Sequence, residues 1–304
     1  MTDGFVVVDK PAGMTSHDVV ARLRKVFGQR RVGHAGTLDP DATGVLVVGL
    51  GAATRLLRFL QATTKGYVGT VVFGTTTTTL DAAGEVMATF DMGDLTAIQA
   101  RAAAARFVGE IQQVPPMVSA IKVEGRRLHE LAREGVEVER APRTVQIDRC
   151  DVVAFRPGRA PEADLEVECG SGTYIRTLAA DLGAALGGGA HLTNLRRTRV
   201  GSFGLGEAHT LDQLEAASAA LVVRPLVALR AMERVDVDAA TAARIANGNT
   251  FAARDLLSVE AGDGPFAVAG PDGDLLAVYE RRGAGVKPAV VLVAAGSTAS
   301  EGRA

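Results

Sequence analysis

The twelve residues from Gly33 to Gly44 constrain this chain more than any other stretch. Glycines at 33, 36 and 44 let backbone approach a ligand closely. Pro40 sets φ just after Asp39 and removes a backbone donor. The segment therefore predicts a rigid loop, and a carboxylate in such a loop can be aimed at one atom. His34 stands five positions before Asp39. Read alone, Asp39-Pro40 also fits an Asp that caps a turn.

Apolar runs on either side predict the elements that carry this loop. Residues 5–8 read as a strand ended by a Lys10-Pro11-Ala12-Gly13 turn. Thr15 with Asp18 forms a capping box, and Val19, Val20, Leu23, Val26 and Phe27 follow at helical spacing up to Gly28. Residues 45–50 are a buried run, and 56–60 a short helix. Residues 66–74 favour a strand, and the threonines at 75–79 an exposed strand or loop. Residues 97–108 predict a helix contacting the core through Ile98, Phe107 and Val108. Pro115-Pro116 breaks the chain, and a basic stretch from Gly125 runs into a short helix ending near Arg133. Leu165, Val167 and Cys169 alternate with acids, as in a half-exposed strand. Leu178, Ala179, Leu182 and Leu186 mark a helix stopped by Gly187 to Gly189. Residues 192–203 read as a basic strand pair. Beyond 230, short strands with Gly, Pro and Asp turns predict a small β-rich unit, with Pro271-Asp272-Gly273 as a hairpin turn. Residues 296–304 read as a disordered tail.

A chain of 304 residues can hold one large domain and a small one. It has no apolar run long enough to span a membrane and no signal-peptide pattern. Cys150 and Cys169 lack metal spacing, which fits reduced structural thiols in the cytoplasm. The net charge of −2 does not advertise nucleic acid. Local clusters do: Arg22, Arg24, Lys25, Arg30 and Arg31; Lys122, Arg126, Arg127 and Arg133; Arg196, Arg197 and Arg199. Each alone fits a solvated face. Together they point to a phosphate-binding face.

Five ordered motifs carry a resemblance. They are Asp9-Lys10-Pro11-Ala12-Gly13-Met14-Thr15-Ser16, the stretch from Gly33 to Arg55, Lys65-Gly66-Tyr67, the stretch from Val114 to Lys122, and Gly172-Thr173-Tyr174-Ile175-Arg176-Thr177. In this order they resemble the TruB family, the tRNA pseudouridine-55 synthases, over roughly residues 5 to 205. The resemblance implies an α+β pseudouridine synthase fold: a mixed, largely antiparallel sheet flanked by helices, plus a small C-terminal β-rich PUA-like domain. It implies a catalytic domain at 1–230 with an RNA-closing insertion at about 113–143, and an RNA-binding domain at 231–295.

The same resemblance assigns the essential carboxylate to Asp39. It gives Arg176 as its ion-pair partner, Tyr67 as the ring stacked on the flipped uracil, and Tyr174 as a stacking and proton-handling group. His34 would occupy the space vacated by the flipped nucleotide, and Leu195 would pack near the base. Lys122, Arg126, Arg127, Arg196 and Arg197 are expected on the RNA backbone. Read alone, Arg176 and Tyr67 would pass for a surface and a core residue. If a strand continues through 174–176, Tyr174 and Arg176 share a face. A nearby cation would lower the Asp39 pKa and keep it ionised. Val118 and His129 depart from the tyrosines of many relatives.

The chemistry implied is isomerisation of uridine 55 in the tRNA T-loop after base flipping. It calls for no cofactor and no metal. The expected partner is the tRNA T-stem-loop, with no membrane, no obligatory protein partner, a monomeric state and a cytoplasmic location. One alternative is a non-catalytic RNA-binding protein. Another is a Mg-dependent phosphatase, because Asp39-Pro40-Asp41-Ala42-Thr43 satisfies D-x-D-x-T. That motif needs a hydrophobic strand directly before it, and here a glycine loop precedes it.

Overall fold

A computed structural model describes residues 2–118, 122–123, 126–127, 134, 136 and 138–292, with main chain only at 122, 123 and 127. The apolar runs flanking the glycine loop pair with each other. β1 (Gly4–Lys10) is followed by α1 (Ser16–Val26) and the short β2 (Val32–His34). β3 (Thr43–Leu50) runs antiparallel to both, with Lys10 opposite Gly44 and His34 opposite Val48. α1 starts on the Thr15–Asp18 capping box, and Gly28 follows it at φ +59°.

After a 3₁₀ turn and α2 (Leu57–Gln61) comes β4 (Lys65–Phe73). β5 (Thr75–Thr77) and β6 (Val86–Thr89) form a hairpin, so the threonine run is a strand. α3 (Ala97–Ala105) leads to β7 (Gly109–Gln113). β8 (Lys122–Val123) and β9 (Arg126–Arg127) make a two-residue ladder. β10 (Arg143–Arg156), β11 (Glu162–Cys169), α4 (Ile175–Ala185), β12 (Ala190–Val200) and β13 (Phe203–Gly204) complete this part. Among the described residues the sheet has nine strands. Its main path runs β1-β3-β12-β4-β11-β10-β7, with β2 on β3 and β13 on β12. All its pairs are antiparallel except β12 on β3, where Arg196 lies opposite Thr43 and Arg197 opposite Gly44.

Both faces of the sheet are covered, which is why β1 and β3 read as continuous apolar runs. Val6 and Val8 join the core under α1, α3 and α4. Phe5 and Val7 face the other way, against Leu56, Leu60, Phe203 and the second sheet. That second sheet holds β14 (Glu233–Asp236), β15 (Phe251–Ala252), β16 (Phe266–Ala269), β17 (Leu275–Arg282) and β18 (Gly285–Val291), in the order β14-β16-β17-β18-β15. Ile245, Phe251, Phe266 and Tyr279 fill its own core. The architecture is α+β, with a mixed, mostly antiparallel sheet and a small C-terminal β-rich unit.

Three local points differ from expectation. α3 buries Ala100, Ala103 and Ala104, while Ile98 and Val108 are exposed, because the small alanine face allows close approach to β10. Residues 192–203 do form a strand pair, with unequal arms: the long β12 and the two-residue return β13. β7 and β10 were not anticipated. β10 alternates buried Val145 and Ile147 with exposed polar and charged residues such as Thr144, Gln146 and Asp148, and its apolar signal is correspondingly thin. No strand runs through 174–176: Tyr174 is the N-cap of α4, and Arg176 lies in its first turn. The expected short helix near Arg133, His129 and the tail at 296–304 fall outside the described residues.

Candidate active site

Asp39 sits between β2 and β3, and the loop carrying it is clamped from two sides. The Lys10 ammonium, fully buried, donates to the carbonyls of Pro40 (2.8 Å), Pro11 (2.8 Å) and Met14 (2.7 Å). Gly13 N–H also reaches the Pro40 carbonyl at 3.0 Å. Ser16 Oγ donates to the Leu38 carbonyl (3.2 Å) and accepts from Leu38 N–H (2.9 Å). From β12, Arg197 donates to the carbonyls of Val45 (2.7 Å), Gly36 (3.2 Å) and Thr37 (3.3 Å). Gly44, at φ +100°, lets the two backbones meet, since a Cβ there would collide with the Arg197 carbonyl. The first motif thus fixes the loop on one side and β12 on the other.

Arg176 lies across the open side. Its Nε approaches Asp39 Oδ2 at 3.0 Å and its Nη2 donates to Asp39 Oδ1 at 3.1 Å, a bidentate pair. The same guanidinium donates to the carbonyls of Val118 (2.8 Å) and Thr79 (3.0 Å) and faces Asp81 Oδ2 at 3.4 Å. Its helix start is placed by the buried Gln113 side chain, which accepts from Tyr174 N–H (3.0 Å) and donates to the Tyr174 carbonyl (3.3 Å).

A cavity of about 340 Å³ opens beside this pair. Asp39, Lys65, Tyr67, Tyr174, Arg176, Leu195 and Arg197 all contribute to its wall. Leu195 reaches it from an irregularity in β12, where Asn194 takes φ +54°. A second cavity of about 240 Å³, on the Asp81 side of Arg176, shares Asp39 and Leu195.

The electrostatics correct one expectation. Burial pushes the Asp39 carboxyl above the ordinary carboxylate range, and Arg176 opposes this without reversing it; Asp81 adds to the rise. With 38 % of the side chain still accessible, solvent limits the rise. Burial also raises the Tyr67 phenol, against the pull of Arg197. Lys65 falls to about 8 through burial and the neighbouring Arg197 charge, and Lys10 falls to about 8 through burial.

The other expected residues separate. His34 lies outside the cavity wall at the end of β2, its ring edge-on to His17 at 5.5 Å and beside the Gly36 backbone. Burial lowers its pKa, with His17 next in effect. Arg197 is 1 % exposed and braces the Asp39 loop, so it presents no surface to a phosphate backbone. Arg196 is half-buried and engaged with Asp9 at 2.8 Å and Thr43 Oγ1 at 3.2 Å. Arg126 is exposed and pairs with Glu134 at 2.5 Å. Lys122 and Arg127 have described main chain only. Lys10, Lys65, Asp81 and Gln113 join the site although sequence reasoning gave them no role. Lys10 and Lys65 carried a signal, since both stand inside the quoted motifs.

No helix of the described residues is long and apolar enough to cross a membrane. Asp41 is exposed and the strand follows Asp39, the reverse of a D-x-D-x-T strand end.

Comparison with known proteins adds to this geometry. The TruB family pseudouridylate synthase N-terminal domain matches residues 24–175. The tRNA pseudouridylate synthase B C-terminal domain matches 176–232, and the tRNA pseudouridine synthase II C-terminal domain matches 232–293. The tRNA pseudouridine synthase B of Mycobacteroides abscessus is 47% identical over 291 residues, which cover 95% of this chain and 96% of that one. That of Mycobacterium sp. strain KMS is 50% identical over 290 residues, with 95% and 96% covered. A chain in the crystal structure of a Cbf5-Nop10-Gar1 complex superposes with a TM-score of 0.75 at 26% identity, covering 96% of this chain and 85% of that one.

Proposed function

The chain belongs to the TruB family of pseudouridylate synthases, and from that premise we propose that it isomerises uridine 55 in the T-loop of tRNA to pseudouridine, with Asp39 as the essential carboxylate. The observation that carries this reading is the bidentate Asp39–Arg176 pair at the wall of a cavity also lined by Tyr67, Tyr174 and Leu195. The reaction breaks the N1–C1′ bond and rejoins the base through C5. A fixed carboxylate serves it by attacking C6 or C1′, or by taking the C2′ proton. The target base is flipped out of its loop into the cavity, where Tyr67 stacks on it and Leu195 and Tyr174 border it. His34 fills the space left in the RNA.

Residues 1–230 act as the catalytic domain, the insertion at about 113–143 closes over RNA, and residues 231–295 bind RNA as a PUA-like domain. Lys122, Arg126, Arg127 and Arg196 contact the RNA backbone. The protein works as a cytoplasmic monomer without cofactor, metal or obligatory protein partner. The test is incubation with unmodified tRNA and mapping of pseudouridine by base position. A single new pseudouridine at position 55 is expected. Modification elsewhere only would reject the assigned target, and no pseudouridine at all would reject the activity.

A further inference from the structure

Two buried cations share the cavity wall with Asp39, and neither has a carboxylate partner among the described residues. Lys65 is 7 % exposed and donates to the carbonyls of Gln61 (2.8 Å) and Thr63 (2.9 Å). Those two bonds leave one of its three N–H donors unassigned. Arg197 is 1 % exposed and donates to main-chain carbonyls of the Asp39 loop and β3. The two side chains run close together at the cavity wall: a Cβ added at Gly36, whose φ is +93°, would lie 3.7 Å from Arg197 Nη1 and 3.8 Å from Lys65 Cε. Tyr67, the ring assigned to stack on the base, stands in the same strand two residues after Lys65.

Burying two like charges side by side is unfavourable unless something negative offsets them. No described side chain does so. We infer that Lys65, backed by the buried charge of Arg197, stabilises the detached uracil as its anion during turnover. This inference rests on the pseudouridine synthase reading and adds the group that stabilises its charged intermediate. When C1′–N1 breaks, the bonding pair stays with the base, so one negative charge spreads over N1, O2 and O4, while the electron-deficient sugar carbon is offset by the Asp39 carboxylate. The ring turns, C5 bonds to C1′, C5 loses its proton and N1 gains one. The substrate and the product are both neutral bases. The two cations therefore favour the charged state between them over either end, and this is what speeds a reaction.

The test compares tRNA carrying uridine or 5-fluorouridine at the target position. Fluorine withdraws charge and stabilises the base anion by itself. Lys65→Met should slow single-turnover detachment of uridine by about a hundredfold, the scale of one preorganised electrostatic contact. It should slow detachment of 5-fluorouridine by no more than about tenfold, because the substituent supplies part of the missing stabilisation. tRNA affinity should be unchanged. If Lys65→Met lacks a cooperative melt, Lys65→Gln takes its place, since its amide can still donate to the same carbonyls without the charge. Equal losses on both substrates would overturn the inference, as would an unchanged rate. Weakened tRNA binding with a normal rate at saturation would assign Lys65 to an RNA phosphate and overturn the inference. A wild-type protein that forms no pseudouridine would sink the function itself, whereas equal losses would sink only this assignment.

Discussion

Arg176 holds Asp39 through two parallel contacts, Nε to Oδ2 at 3.0 Å and Nη2 to Oδ1 at 3.1 Å, although 137 positions separate them in the chain. The guanidinium is 5 % exposed and the carboxylate 38 %. The pair therefore presents an oriented acid to the cavity and keeps its counter-charge behind it.

Asp39→Asn keeps the shape of the side chain and removes its charge. Isomerisation should fall by at least about a hundredfold, as expected for loss of an essential base or nucleophile. tRNA affinity should survive, because no basic contact is removed. Single-turnover rates and filter binding measure the two quantities; a variant above about a hundredth of the wild-type rate contradicts the role.

The pH profile should carry the mark of burial. In the proposed role the active form is the Asp39 carboxylate, so activity should fall as pH drops and the group takes a proton. Burial raises its pKa, which places the acid limb of kcat/KM above the ordinary aspartate value of about 3.9. Arg176→Met removes the charge that opposes this rise and leaves Asp81 nearby. Its limb should move to still higher pH. A limb that stays in place would mean that another group controls it.

Lys10→Met removes the ammonium donor from the Pro11, Met14 and Pro40 carbonyls, of which Pro40 keeps only Gly13 N–H. Stability should drop by about 1–3 kcal/mol, the cost of a buried polar group left unsatisfied. The rate should fall more than tRNA affinity, since the Pro40 carbonyl belongs to the catalytic loop. Thermal unfolding and single-turnover kinetics read the two effects, and an unchanged rate would show that the loop holds its shape without this clamp.

Arg126→Ala with Arg127→Ala should weaken tRNA binding and flatten the logarithmic salt dependence by about one to two units, one for each lost phosphate contact. The rate at saturating tRNA should change far less. An unchanged slope would leave Arg126 with Glu134 as its sole business and redirect the RNA path.

Full activity should persist after exhaustive EDTA treatment when the tRNA is folded beforehand. Activity that is lost and then restored by Mg²⁺ on prefolded tRNA would favour the phosphatase-like alternative, and release of phosphate from a small phosphoester would establish it.

Local patterns carried much of the fold. The Thr15–Asp18 box, the stop at Gly28, β4 and the alternation of β11 were readable because each depends on neighbours within a few residues. β10 was not readable, because its exposed face is polar and charged and only every second residue is buried. Whether a strand continues through Tyr174 and Arg176 was not readable, because the start of α4 there is seated by Gln113, a distant side chain.

By itself the sequence determined a rigid glycine loop bearing one aimed carboxylate, since glycine and proline act through their own backbones. Only the tertiary structure decided what surrounds it. Arg196 and Arg197 are adjacent and chemically identical, and neighbours on a strand face opposite ways. The register of β12 on β3 sends Arg196 to a half-open ion pair with Asp9 and buries Arg197 against the catalytic loop. That register is set by the packing of strands some 150 residues apart, which no local sequence pattern records.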